Sequence, residues 1–177
     1  MKKVRLFSES AILNRIYYLS KEISKDYYDN DLVIICVLKG SYMFFTYIVS
    51  QLKIKNDPRI DFIQLSSYSG TESTGQIKIK KDIDIDVNNK DVLIIEDIVD
   101  TGLTMKYLID HLNKKNCKSI KVCSLLQKPS KMKSDVYVDY LGFVIEDDFV
   151  VGFGLDHDEK YRTLPEIFKL IPEDSLN

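Results

Sequence analysis

Three carboxylates stand together in Glu96-Asp97-Ile98-Val99-Asp100, directly after the apolar run Val92-Leu93-Ile94-Ile95 and directly before Thr101-Gly102-Leu103-Thr104. The two halves of this string suit opposite tasks. A helix starting near Thr101 would present unpaired backbone N–H groups and the positive end of its dipole, which with the hydroxyls of Thr101 and Thr104 can hold a phosphate. Glycine at 102 lets the backbone come close to such an anion. Carboxylates would repel the same phosphate, so they must face something else: sugar hydroxyls, a metal ion or a proton to be removed. Asp100 alone could equally cap the helix. The whole order of four apolar residues, two acids, a third acid three positions on and then Thr-Gly-Leu-Thr is far more specific.

The elements that must position this string follow from hydrophobic spacing. Ser8 can cap a helix over residues 9–26, where Ile12, Ile16, Leu19 and Ile23 recur at spacings of three and four. Residues 32–38 form a continuous, β-branched apolar run, the pattern of a strand buried on both faces of a parallel sheet. Lys39-Gly40-Ser41 breaks it, and a helix follows to about Leu52. Residues 59–66 alternate as a strand with one exposed face, with Ile60 and Phe62 expected inward and Leu65 a third candidate. Residues 66–76 are polar and rich in small side chains, which reads as a mobile loop, and residues 76–81 as the returning strand of that hairpin.

Residues 92–95 read as a second buried strand, 101–115 as a helix with Leu103, Tyr107, Leu108 and Leu112 inward, and 119–126 as a third strand. That is a βαβ unit, so the fold class is α/β, with a mostly parallel sheet flanked by helices. Residues 136–143 and 149–153 add strands toward the C-terminus. In such sheets ligands bind beyond the carboxyl ends of the strands, which points to the loops after Leu38, Ile95 and Leu126.

Composition narrows the class further. A chain of 177 residues is enough for one domain whose single core buries roughly 70% of the unfolded surface. A formal charge of −2 leaves no footprint for nucleic acid, and the short clusters Lys78, Lys80, Lys81 and Lys128, Lys131, Lys133 read as a solvated strand face and a loop. Cys36, Cys117 and Cys123 are odd in number and lack metal-ligand spacing, so disulfides are not expected, which suits a reducing cytoplasm. Polar residues follow Met1-Lys2-Lys3 at once, and the longest uncharged apolar-rich run, residues 40–52, is shorter than the roughly 20 residues that span a bilayer. No membrane partner is expected.

Residues 92–104 resemble the phosphoribosyl diphosphate binding motif of type I phosphoribosyltransferases, in the version typical of hypoxanthine-guanine enzymes. The likeness extends in family order over residues 30–165. Leu38-Lys39-Gly40-Ser41 is similar to their pyrophosphate loop, Ser67-Tyr68 to their flexible catalytic loop, and Lys128-Pro129 to their base-binding lysine. Phe149-Val150-Val151-Gly152 with Asp156 and Arg162 is similar to their C-terminal hood. The resemblance implies one phosphoribosyltransferase domain over residues 1–177, with a small hood from the chain ends, mainly about 136–177, and a flexible loop at about 66–76.

It also implies roles. Glu96 and Asp97 would meet the ribose 2- and 3-hydroxyls, directly or through Mg2+, and Asp156 would bind a second Mg2+. The stretch Asp100, Thr101, Gly102, Leu103 and Thr104 would hold the 5-phosphate, with Asp100 also the general base near purine N7. The backbone of Lys39 and Gly40 would meet pyrophosphate, as would Arg162. Lys128 would donate to the 6-oxo group, selecting hypoxanthine and guanine over aminopurines. Phe149 would stack on the ring, and Val150 would meet its edge through the backbone. Ser67 and Tyr68 would sit on a lid that excludes water from a state with oxocarbenium character. The resemblance further implies a cytoplasmic homo-oligomer, a dimer or tetramer, acting in purine salvage.

Two other readings compete. A signalling receiver domain also has an acidic pair after a buried strand and a later Lys-Pro, but its pair belongs on the first strand and leaves Thr101-Gly102-Leu103-Thr104 without a task. A nucleotide-sensing regulator on the same fold would not need an intact Asp100, and net acidity disfavours the nucleic-acid partner it would require.

Overall fold

The central strand β2 (Leu32–Leu38) is apolar throughout because both of its faces are covered and both of its edges are paired. It lies parallel to β3 (Arg59–Ser67) on one side and to β5 (Asp91–Val99) on the other. β6 (Ser119–Gln127) and β7 (Tyr140–Val144) continue the parallel pairing, and β4 (Ile77–Lys81) closes the far edge antiparallel to β3. The sheet order is β4-β3-β2-β5-β6-β7. These elements come from a computed structural model that describes residues 1–67 and 77–172.

Alternate residues of the strands feed two separate cores, as the period-2 geometry of a strand requires. Ile34, Cys36, Leu93 and Ile95 pack with α1 (Glu9–Asp26) and α2 (Tyr42–Gln51) on one face. Val33, Ile35, Val37, Val92 and Ile94 pack with α3 (Leu103–Asn113) on the other. Ser8 caps α1 as its sequence predicts, accepting from the Ala11 N–H at 3.3 Å. All three cysteines are free. Among the described residues no helix is long and apolar enough to cross a membrane.

A second, three-stranded antiparallel sheet stands apart from the first, in the order β1-β9-β8. It joins the two chain ends, β1 (Lys2–Phe7) and β9 (Ile167–Ile171), to the short β8 (Val150–Val151). This sheet is the hood. The sequence does not signal β1 or β9: they pair with each other across 160 or more positions, and β1 is exposed along most of its length.

Four expectations are corrected. In β3 the inward face is reversed: Ile60 and Phe62 are exposed, while Asp61 and Ile63 are buried. A carboxylate can take that place because it accepts the backbone N–H groups of Phe62, Asp84 and Ile85 at 2.7, 2.6 and 2.8 Å. In α3 the inward residues are Met105, Leu108 and Leu112, with Leu103 and Tyr107 exposed. That helix starts at Leu103 rather than Thr101, and Met105, Leu108 and Leu112, spaced three and four apart, form one stripe from which Leu103 and Tyr107 are turned away. β5 runs on to Val99, so Glu96 and Asp97 lie within the strand; Ile98 and Val99 still pair with Leu126 and Gln127 of β6. Near the C-terminus, residues 136–139, 149, 152 and 153 lie outside the strands expected there.

Asp61 connects the sheet edge to the segment after β4. Burial pushes its carboxyl up, but the N–H groups of Ile85, Phe62 and Asp84 and the Lys81 ammonium more than offset this and hold it below the usual aspartate value. Replacing it, Asp61→Ala, leaves buried amides unpaired and is expected to cost about 2 to 4 kcal/mol in urea unfolding at neutral pH. Because folding depresses this pKa, the contribution is present above the ordinary value of about 3.9 and is lost as pH falls through the depressed one. The stabilities of wild type and variant should therefore converge in acid.

Candidate active site

The loops after β2 and β5 meet the segment between β8 and β9 at the carboxyl end of the main sheet. They enclose a cleft of about 400 Å3 lined by Lys39, Gly40, Glu96, Asp97, Thr104, Asp156 and Arg162, together with Gln64, Lys80 and Glu159. The peptide between Leu38 and Lys39 is cis.

Position 40 is tightly confined. A Cβ there would overlap the Asp97 carboxylate, and a Cβ at Gly154, whose φ is +99°, would overlap the Gly40 carbonyl oxygen. Two glycines therefore let the β2 loop lie between β5 and the hood. Arg162 is held to the same place: its Nη1 donates to the Gly154 carbonyl at 2.9 Å, and its carbonyl accepts from the Gly154 N–H at 2.9 Å.

Glu96 is buried beside Asp97, whose N–H donates to Glu96 Oε1 at 3.1 Å. Burial pushes the Glu96 carboxyl well above the usual glutamate range, and the neighbouring Asp97 charge and hydrogen bond push the same way. Asp97 in turn accepts the Ile98 N–H at 2.8 Å.

A smaller pocket of about 80 Å3 lies at the start of α3, lined by Glu96, Asp100, Thr101, Gly102 and Thr104 among others. Gly102 is the N-cap, at φ +76°, with no side-chain cap and no acid in the first turn. The Leu103 N–H donates to Thr101 Oγ1 at 3.4 Å, while the Leu103 side chain is exposed and gives the site only its backbone. Asp100 is therefore not the cap and remains free for other work. A helix end with uncapped N–H groups, two threonine hydroxyls and no competing acid in its first turn can receive a phosphate.

Asp100 faces Lys128, which the structure buries rather than leaving on a solvated loop. The Lys128 ammonium lies 3.5 Å from Asp100 Oδ2 and 3.6 Å from Asp147 Oδ1, and Asp147 is held by Lys131 at 2.7 Å. The other Asp100 oxygen, Oδ1, is buried with no hydrogen-bond partner among the described residues, and so is Arg162 Nε. Phe149 is about half exposed and meets the His157 ring edge-on at 5.2 Å. Val150 is buried and pairs with Lys169. Arg162 Nη2 contacts Asp156 Oδ1 at 2.8 Å and Glu159 Oε2 at 3.1 Å.

The fold thus gathers Lys39, Gly40, Glu96, Asp97, Asp100, Thr101, Gly102, Thr104, Asp156 and Arg162 around one sheet end, with Lys128 against Asp100, while Phe149 and Val150 lie in the hood. Ser67 ends β3 close to the cleft residues Leu65 and Ser66, whereas Tyr68 and the rest of the expected lid lie outside the described residues. Sequence reasoning missed Asp147 and Glu159, which belong to no motif and reach the site only through the hood. It also missed Met132 and Ser134, which fill the space where a side chain at 102 would stand.

Comparison with known proteins agrees with this geometry. The profile of the phosphoribosyl transferase domain matches residues 5–160. The chain is 44% identical over 169 residues to the hypoxanthine-guanine phosphoribosyltransferase of Staphylococcus aureus strain Mu50, covering 95% of this chain and 93% of that protein. It is 42% identical over 163 residues to the hypoxanthine-guanine-xanthine phosphoribosyltransferase of Tritrichomonas foetus, covering 92% and 88%. A crystal structure of a hypoxanthine-guanine phosphoribosyltransferase from Bacillus anthracis, with HEPES in its active site, superposes with a TM-score of 0.90 at 42% identity, covering 97% of this chain and all of that one.

The buried acid pair carries a pH signature. A glutamate whose pKa is raised on folding favours the folded state most below its ordinary value of about 4.3, and that favour is lost as pH climbs through the raised value. Glu96→Gln removes this burden. In chelator-containing buffer at pH 8 the variant should melt about 2 to 4 °C above the wild type, the scale of 1 kcal/mol for a chain of this size, and the gap should close near pH 4. Differential scanning calorimetry reads both.

Proposed function

This chain belongs to the phosphoribosyl transferase family and acts in purine salvage, and we propose that the sheet end described above joins hypoxanthine or guanine to the ribose of phosphoribosyl diphosphate. The products are IMP or GMP and pyrophosphate. The purine displaces pyrophosphate at C1 with inversion, through a state with oxocarbenium character, as in glycoside hydrolysis. The observation that carries this reading is the buried, unpartnered Asp100 Oδ1 beside the uncapped start of α3, with the Lys128 ammonium against its other oxygen. A buried acceptor left open in a binding cleft calls for a donor from a ligand.

Each residue then has a task. Thr101, Thr104 and the backbone from Asp100 to Thr104 hold the 5-phosphate on the positive end of α3. Glu96 and Asp97 face the ribose hydroxyls. Asp100 accepts the proton that leaves N7 or N9 as the purine is alkylated. Lys128 donates to the 6-oxo group; an aminopurine would offer it a second donor. Phe149 lies over the ring, and the Val150 backbone meets its edge. Lys39 and Gly40, through their backbone, and Arg162 receive the diphosphate. Ser67 and Tyr68 belong to a lid that keeps water from the cation-like state.

Magnesium fits the donors present. Among the described residues no three His, Cys, Asp or Glu side chains form a ready cage, and the cleft offers instead the oxygens of Glu96 with Asp97 and of Asp156. That suits a hard ion that keeps several waters and takes one or two protein carboxylates together with substrate oxygens. Bound there, it would neutralise charge developing on the departing diphosphate. A cytoplasmic location is supported by three free cysteines, and assembly as a dimer or tetramer by the exposed Ile60 and Phe62 on β3.

A pyrophosphate-release assay with each purine tests the reaction. Hypoxanthine and guanine should be consumed and adenine should not; release with none of them would overturn the reading. Asp100→Asn should lower turnover by about a hundredfold or more, the usual scale of a general base, with an unchanged fold.

A further inference from the structure

Two cations at the end of the cleft where the diphosphate would lie, the Lys39 ammonium and Arg162, are already paired with the chain's own acids. Glu159 spends one carboxylate oxygen on each of two cations: Oε1 lies 3.0 Å from Lys39 Nζ and Oε2 3.1 Å from Arg162 Nη2. A two-oxygen anion bridging a lysine and an arginine at the cleft wall has the geometry expected of a bound phosphoryl oxyanion. Glu159 lines that cleft. Its N–H donates to Asp156 Oδ2 at 2.9 Å, and its φ of +59° belongs to a turn that aims the side chain back across the site.

Glu159 is not what fixes Arg162. The guanidinium is mostly buried, donates to the Gly154 carbonyl through Nη1 and contacts Asp156. The Glu159 side chain is 64% exposed and can swing into solvent. We propose that Glu159 is a built-in competitor for the diphosphate, bridging Lys39 and Arg162 until the substrate displaces it and returning as pyrophosphate leaves. This rests on the reading of the cleft as a diphosphate site. It makes Glu159 a positioning residue that sets diphosphate affinity without touching the purine.

The sign of one substitution decides the matter. In Glu159→Gln the cations stay in place and the competing charge is gone. Binding of pyrophosphate in magnesium buffer, read by isothermal titration calorimetry, should tighten about three- to tenfold, the scale of two exposed ion pairs. The KM for phosphoribosyl diphosphate should fall by a similar factor, and the KM for hypoxanthine should not change. Glu159→Ala should behave alike. Asp158→Asn removes a neighbouring charge that has no contact with Lys39 or Arg162 and should leave pyrophosphate binding as it is. Unchanged or weaker binding in the Glu159 variants overturns the inference, as does an equal gain in Asp158→Asn. A wild-type chain that is inactive with every purine would instead overturn the reading on which the inference rests.

Discussion

Gly40 stands where three parts of the chain would otherwise collide. The Asp97 carboxylate of β5 occupies the space a side chain would take, and from the other side Gly154 brings its Cα against the Gly40 carbonyl. This close approach lets the hood, made from the two chain ends, reach the end of a sheet whose strands come from the middle of the chain. Asp156, Glu159 and Arg162 are delivered to the cleft by the same approach, since Arg162 exchanges two hydrogen bonds with Gly154. Without it the main sheet would still offer Glu96, Asp97 and the start of α3, but the cations of the hood would have nothing to face.

Charge is the second organising constraint. A site for phosphates and a cation-like sugar needs both signs of charge close together, and an unliganded protein must still fold around them. Three cations here have an internal acid: Arg162 has Asp156 and Glu159, Lys39 has Glu159, and Lys128 has Asp100 and Asp147. Glu96 is the exception, buried beside Asp97 with its carboxyl pushed well up. On the proposed reading, substrate binding exchanges partners more than it fills a vacant pocket. Stability given up at Glu96 is the expected consequence of keeping an acid pair ready in a low-dielectric site.

Much of the fold is legible in the sequence, for identifiable reasons. β2 and the first part of β5 are buried on both faces and read as unbroken apolar runs, and α1 shows its face through Ile12, Ile16, Leu19 and Ile23. Periodicity misled at β3, where Asp61 takes an inward position because backbone N–H groups solvate it. It misled again at α3, where Met105, Leu108 and Leu112 form the inward stripe and Leu103 and Tyr107 fall on the other side. β1 and β9 were invisible because each is ordered by the other across the length of the chain. In the site, the contiguous string of residues 96–104 could be read directly. Asp147 and Glu159 could not, since their neighbours in space, Lys128 and Lys39, are distant in sequence.

On the proposed reading, one sheet end holds an oxopurine nucleotide, with its phosphate at α3 and its 6-oxo group at Lys128. Equilibrium binding of the product tests that claim without depending on turnover. Titrated into the wild-type chain under the same conditions, IMP should bind about a hundredfold or more tighter than AMP, because the two differ at the group Lys128 addresses. Equal affinity for the two nucleotides, or preference for AMP, would contradict it.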